Sequence, residues 1–268
     1  MNFAQKVGRR IRVRAVEKIK MIKGRALLAS PMYLRFRGAY ESYDDALKAI
    51  PQHRLAGYNH ESVAELNFEL MSQIAPWDYP VLFWLQRLLP NAKSILDAGG
   101  HMGTKFRAFQ GYIPLGPPTS WIVYDLPAIV KVGKRWAEKD GLEGIEFTSD
   151  ITAINRCDIL LASGLLQYLD QPFTDILQQL PELPRHLIIN KLAVRDGATL
   201  VTLEDIGHAF VPYQIRSRQP FFSALEVLGY RSVDEWEIPS LSHVIPTHPE
   251  FGASKSVGCY LTLGSGTP

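Results

Sequence analysis

Two cysteines, Cys157 and Cys259, are all that 268 residues contain. They form no CxxC and no metal-ligand spacing, so neither a disulfide framework nor a zinc site is expected. Both read as buried thiols in a reducing compartment. HExxH, an EF-hand acid cluster and histidines paired at ligand spacing are also missing, so no metal is expected. No apolar run reaches the roughly 18 residues of a membrane span. The basic N-terminus is not followed by the apolar core and small-residue cleavage site of a secretory signal. These absences point to a cytoplasmic globular protein, which the 46% hydrophobic and 21% charged composition suits.

Charge of one sign is scarce in one place. Residues 1–25 hold nine of the 29 basic side chains and only one of the 27 acids, Glu17. Val7, Ile11, Ala15, Ile19 and Ile22 recur there at three- and four-residue spacing, which predicts an amphipathic helix up to Gly24. Such a helix can pack on its own domain or make peripheral contact with the inner face of a membrane. Nucleic acid is not the expected partner. Residues 1–30 form this basic segment.

Residues 31–90 show no strand alternation and read as a helical cap. "YESYDDALKAI" places Ser42 as an N-cap with Asp45 at N3. "NHESVAELNFELMSQI" predicts a helix to Ile74, and "YPVLFWLQRLLP" a buried short helix closed by Pro90. From residue 91 to 268 strands and helices alternate. The strands are "KSILDAG", "SWIVYDLP", "IEFTSDI", "CDILLASG" and "RHLIINKLAV", then "RSVDEWEIP" and "SVGCYLTLG" with no helix between them. This predicts an α/β fold: a Rossmann-like, doubly wound, mostly parallel seven-stranded sheet with an antiparallel edge hairpin.

In open α/β sheets ligands bind beyond the carboxyl ends of the strands. The first strand ends in Asp97-Ala98-Gly99-Gly100-His101-Met102-Gly103. The strict G-x-G-x-x-G of a dinucleotide site fails at His101, and an aspartate at its mouth would repel a diphosphate. S-adenosylmethionine has no phosphate. Its ammonium and sulfonium suit Asp97, and glycines let the backbone approach it closely. The second strand ends in Asp125, placed to accept from ribose hydroxyls. The third ends in Asp150, placed for the adenine amino group, and the fourth in Ser163-Gly164, beneath the sulfonium.

With these motifs the chain resembles class I S-adenosylmethionine-dependent methyltransferases: "ILDAGGHMG", "VYDLP", "SDI" and "CDILLASGLLQYL" are similar to their four motifs. More narrowly it resembles a bacterial methyltransferase group associated with surface-polysaccharide biosynthesis, through "FRGAYESYDDAL", "GYNHE", "LDAGGHMGT", "LLASGLLQYL" and "LGYRSVDEWE". The likeness covers roughly residues 36–262 and departs from the common pattern at His101. It implies cofactor roles for Asp97, Gly99, Gly100, Gly103, Asp125, Asp150, Ser163 and Gly164. His101, Leu126 and Ile151 stand beside them, and Tyr58 is placed as part of a lid. The implied reaction is O-methylation of a sugar or other small-molecule hydroxyl.

Methyl transfer from a sulfonium is an in-line displacement, for which the protein aligns the acceptor and excludes water. A hydroxyl acceptor can also call for a general base, and His208, His243 and His248 are the candidates. "VPYQIRSRQPFF" could line an acceptor pocket, with Arg216 and Arg218 for an anionic group. Two other readings stay open. One is an NAD-dependent oxidoreductase, although no tyrosine precedes a lysine by four positions as in short-chain dehydrogenases. The other is a non-catalytic scaffold at the membrane surface.

Overall fold

A computed structural model describes the backbone of residues 3–30, 32–61, 65 and 68–264, with side chains on all of these except 3, 4, 6–12 and 14. The strands in chain order are β1 (Phe36–Tyr40), β2 (Leu55–Ala56), β3 (Ser94–Ala98), β4 (Ser120–Tyr124), β5 (Ile145–Thr148) and β6 (Ile159–Ser163). They continue with β7 (His186–Arg195), β8 (Leu200–Asp205), β9 (Ala209–Ser217), β10 (Tyr230–Glu237) and β11 (Lys255–Leu263). All seven predicted strands are present, as β3 to β7, β10 and β11. They lie in the order β5-β4-β3-β6-β7-β11-β10. β3 to β7 run parallel. β11 is antiparallel to β7 and β10 is antiparallel to β11, so the reversed strand is inserted and the edge strand β10 runs with the parallel set.

β3 pairs β4 on one side and β6 on the other, which opens a crevice at its carboxyl end. Its five residues are buried, as a parallel strand covered on both faces requires. One core layer gathers Leu160, Phe173, Leu187 and Tyr230, and the other Leu85, Phe109, Trp121 and Ile188. Among the described residues no helix is long and apolar enough to cross a membrane.

The stretch expected to be entirely helical, 31–90, departs from that reading. β1 pairs antiparallel with β8, and β2 pairs parallel with β9. β8 and β9 form a hairpin that joins β7 at Val194–Arg195. The sheet therefore has eleven strands rather than seven. β8 is buried along its whole length and most of β9 is too, so neither shows the polar alternation that betrays a half-exposed strand. Pro212 inside β9 further hides it. The expected cap at Ser42 is present: its Oγ accepts from the Asp45 N–H at 3.1 Å and opens the helix Tyr43–Lys48. The helix Tyr79–Leu88 also forms. Of the helix expected through residue 74, Phe68–Met71 is helical, while residues 62–64, 66 and 67 lie outside those described.

Candidate active site

The glycine turn leaves β3 at its carboxyl end. Asp97 is 1% exposed. Its Oδ2 accepts from Trp121 Nε1 at 3.2 Å, and its Oδ1 has no partner. Burial pushes its carboxyl up to about 7, against the pull of Trp121 and Lys105. Gly100 is fixed by this carboxylate, because a Cβ there would stand 2.5 Å from Asp97 Oδ2. Gly99 has φ +68, and a Cβ there would meet Leu165 at 2.8 Å. Gly103, also left-handed, precedes the helix Thr104–Phe109.

His101 interrupts the glycines yet takes their conformation, with φ 57. A left-handed residue without glycine's freedom is strained. Its N–H donates to Asp125 Oδ2 at 2.8 Å, which ties the ends of β3 and β4 together. Its own ring is idle: Nδ1 is buried without a partner, and burial pushes the imidazole down to about 4. Asp125 also accepts from the Leu126 N–H at 2.7 Å. Burial raises its carboxyl to about 6, against those two N–H donors. Two lone-pair sites remain for hydroxyl donors. Leu126 is exposed beside it.

Asp150 is exposed and engaged locally, accepting from Thr152 N at 2.9 Å and from Thr152 Oγ1 at 2.6 Å. These bonds lower its pKa and cap the short helix Ile151–Ala153, whose Ile151 is buried in the core. Ser163 and Gly164 end β6. Asn190 Nδ2 lies 3.4 Å from Ser163 Oγ, and Gly164 has φ +88.

Four polar residues of this crevice went unread in the sequence. Asp78 is fully buried and accepts from Lys105 Nζ at 2.8 Å. Asn190, 1% exposed, bonds the Trp77 carbonyl and receives Trp236 Nε1 at 3.1 Å. The register of β7 against β11 slips here, with Asn190 and Lys191 facing the single Gly258, and Lys191 takes φ 60. This is a β-bulge, which re-aims a side chain. Among the described residues the Lys191 ammonium makes no hydrogen bond or ion pair, and it lies 3.0 Å from where a Cβ on Gly164 would stand. Burial, reinforced by Lys105, pushes it down to about 8, while Asp78 and Asp97 pull the other way. Only the polar Asn-Lys pair inside an apolar strand could have signalled the bulge.

A second cluster adjoins the first. Tyr58 stands edge-on to Tyr168 at 4.9 Å and is within electrostatic reach of Glu204 and Asp125. Tyr168 Oη donates to Glu204 Oε2 at 2.8 Å, and Arg35 closes on Glu204 Oε1 at 2.8 and 2.9 Å. Tyr213 packs edge-on against Tyr168 at 5.5 Å. Burial raises all three tyrosines, so each keeps its proton at neutral pH.

The three histidines do not gather at the glycine turn. His208 is exposed between β8 and β9. His248 lies 2.9 Å from Thr247 Oγ1. His243 stacks on Phe36 at 3.8 Å and meets Tyr213, so it borders the tyrosine cluster. Burial pushes it down to about 4, too low for an effective base at neutral pH. Arg216 is not free for an anion: its guanidinium donates to the carbonyls of Leu166 and Leu169. Arg218 is paired with Glu235. A cavity of about 360 Å³ bounded by Arg37, His53, Arg54 and Phe210 includes none of the predicted site residues.

No protein-family model and no curated protein matches the chain. Among solved structures, the N-terminal domain of EvdMO1 with SAH bound gives a TM-score of 0.49 at 15% identity, over 71% of this chain and 83% of that one. The 1,6-didemethyltoxoflavin-N1-methyltransferase of Burkholderia thailandensis, with bound 1,6-didemethyltoxoflavin and S-adenosylhomocysteine, gives 0.46 at 16% identity, over 81% of this chain and 95% of that one. OxaC with SAH and oxaline gives 0.47 at 15% identity, over 76% of this chain and 50% of that one. Likenesses of this size assign neither family nor function.

Proposed function

We propose that the chain is an S-adenosylmethionine-dependent methyltransferase acting in the cytoplasm on a small-molecule hydroxyl, with a sugar as the acceptor class. The observation that carries this reading is a pair of opposite, incompletely bonded groups at the carboxyl end of β3. Asp97 has an orphan oxygen, and the Lys191 ammonium is within electrostatic reach of Asp78 and Asp97 without a hydrogen bond to either. Groups buried with hydrogen-bonding capacity left over are costly, so the pair suits a ligand that brings both signs. The amino-acid end of S-adenosylmethionine carries an ammonium and a carboxylate. A nicotinamide dinucleotide offers no such zwitterion.

S-adenosylmethionine, when bound, supplies an activated methyl group on its sulfonium. The chain's own residues do the rest. Asp97 holds the ammonium, Lys191 the carboxylate, and Asp125 accepts from the ribose hydroxyls. Gly99 and Gly100 let the backbone come close. Ser163 and Gly164 line the floor, with Leu126, Asp150 and Ile151 bordering the adenine side. Tyr58 closes over the site as a lid and presents its ring, with Tyr168 and Tyr213, to the acceptor. A methylated hydroxyl must lose its proton. Tyr168, which donates to Glu204, leads it away from the reacting oxygen, and Arg35 balances the carboxylate at the end of that bond.

Titration calorimetry tests the cofactor. S-adenosylhomocysteine is expected to bind the purified chain and NAD is not. Asp97→Asn keeps the partner of Trp121 but removes the charge, and should weaken binding about 100-fold, as for a lost hydrogen bond to a charged group. No heat with S-adenosylhomocysteine up to millimolar concentration would sink the reading. Transfer of a labelled methyl group to candidate saccharides, read by mass spectrometry, tests the acceptor class.

A further inference from the structure

The last turn of the N-terminal helix, Phe3–Ala26, docks on the segment between β10 and β11. Gly24 is buried there, and a Cβ on it would stand 2.7 Å from Pro249 Cδ and 3.0 Å from the carbonyl oxygens of Pro246 and Thr247. Arg25 donates to the Thr247 carbonyl and pairs with Glu250. Every residue from 15 to 23 is exposed, Ile19 at 53% and Ile22 at 62%.

The direction of this attachment is informative. At about 100° per residue, Ala15, Ile19, Ile22 and Ala26 fall within about 60° of one another. Gly24, the docked residue, lies on the opposite side of the helix. The docked Gly24 is therefore on the side away from Ile19 and Ile22, and these two isoleucines, on one stripe, are turned outward, while the exposed Val13, Val16 and Met21 lie on the remaining sides of the helix. Lys18 flanks the stripe on one side and Lys23 on the other, while Glu17 falls on the body side. Charge then selects the occupant. The segment carries nine basic residues and one acid. A second copy would set like charges together, and nucleic acid would leave the isoleucines in water. An anionic lipid surface answers both the stripe and its basic flanks.

We propose that this helix lies on anionic bilayers, with Ile19 and Ile22 in the acyl boundary and the lysines among the headgroups. The full chain is tested by co-sedimentation with phosphatidylcholine vesicles with and without phosphatidylglycerol. Binding is expected to the anionic vesicles alone and to fall as salt is raised. Ile19→Glu with Ile22→Glu should weaken it about tenfold or more, leaving the melting temperature and S-adenosylhomocysteine affinity unchanged, since both side chains are exposed. Three results would overturn the proposal: no sedimentation with anionic vesicles, unchanged binding by the double variant, or a dimer in light scattering that the double variant abolishes. None of these depends on the methyltransferase reading.

Discussion

The glycine turn and the β7 bulge flank the same crevice, and each contains a non-glycine residue in the left-handed region. These two, His101 and Lys191, are the non-glycine residues with positive φ among the described residues. They use that strained backbone in opposite ways. His101 works through its main chain: its N–H binds Asp125 while its ring sits neutral and unbonded. Lys191 presents its side chain: the bulge leaves the ammonium beside Gly164. If the backbone is what His101 contributes, glycine should replace it; if Lys191 holds the cofactor carboxylate as proposed, nothing without a positive charge should.

The sharpest way to break this contrast is at Lys191. Lys191→Met removes the charge but keeps the length. S-adenosylhomocysteine affinity should fall ten- to 100-fold, with the melting temperature held or raised because a cation that burial disfavours is gone. Calorimetry beside thermal melting reads both, and unchanged affinity would make the bulge merely architectural.

A pH series gives the next largest effect. A cationic ligand group needs Asp97 ionised, and its free-protein pKa is about 7. Below that value binding must expel a proton, so affinity should rise with pH by up to about tenfold per unit from 6 toward 7. Asp125, at about 6, acts in the same sense. Above 8, Lys191 loses its charge and affinity should fall again. The resulting optimum belongs to the coupled pair. In Asp97→Asn the rising limb should shrink.

The smallest effect is expected at His101. His101→Gly relieves the left-handed strain and should raise stability by about 0.5–1 kcal/mol, less what the ring packs. Cofactor affinity should stay within about threefold, because the N–H to Asp125 remains. His101→Val, with a β-branched side chain at positive φ, should cost about 1–3 kcal/mol. Denaturant titration distinguishes the two variants.

The same contrast explains what the sequence displayed. β3, β4 and β6 were legible because each is an apolar run, and β5 because it alternates; an acid, serine or glycine follows each, and turns punctuate the chain between them. The acids at 97 and 125 stood out for the same reason. β8 and β9 were hidden because burial on both faces erases the period-2 pattern. Lys191 was hidden because a bulge is a property of pairing, set by the partner strand and by Gly258, where any side chain would overlap the Trp236 indole. Asp78 and Glu204 bond residues 27 and 36 positions away, or farther, and no local window contains their partners.

Thr247 ties two of these regions together. It is fully buried, its Oγ1 accepts from the Gly38 N–H at 2.9 Å, and its carbonyl receives Arg25. The same excursion between β10 and β11 carries His243 onto Phe36 beside the tyrosine wall. One buried threonine thus joins the outward-facing helix to the strand behind the tyrosine cluster. With the proposed bilayer contact and the proposed methyl transfer together, the helix would fix the heading of that cluster, and an acceptor would be met from one side only.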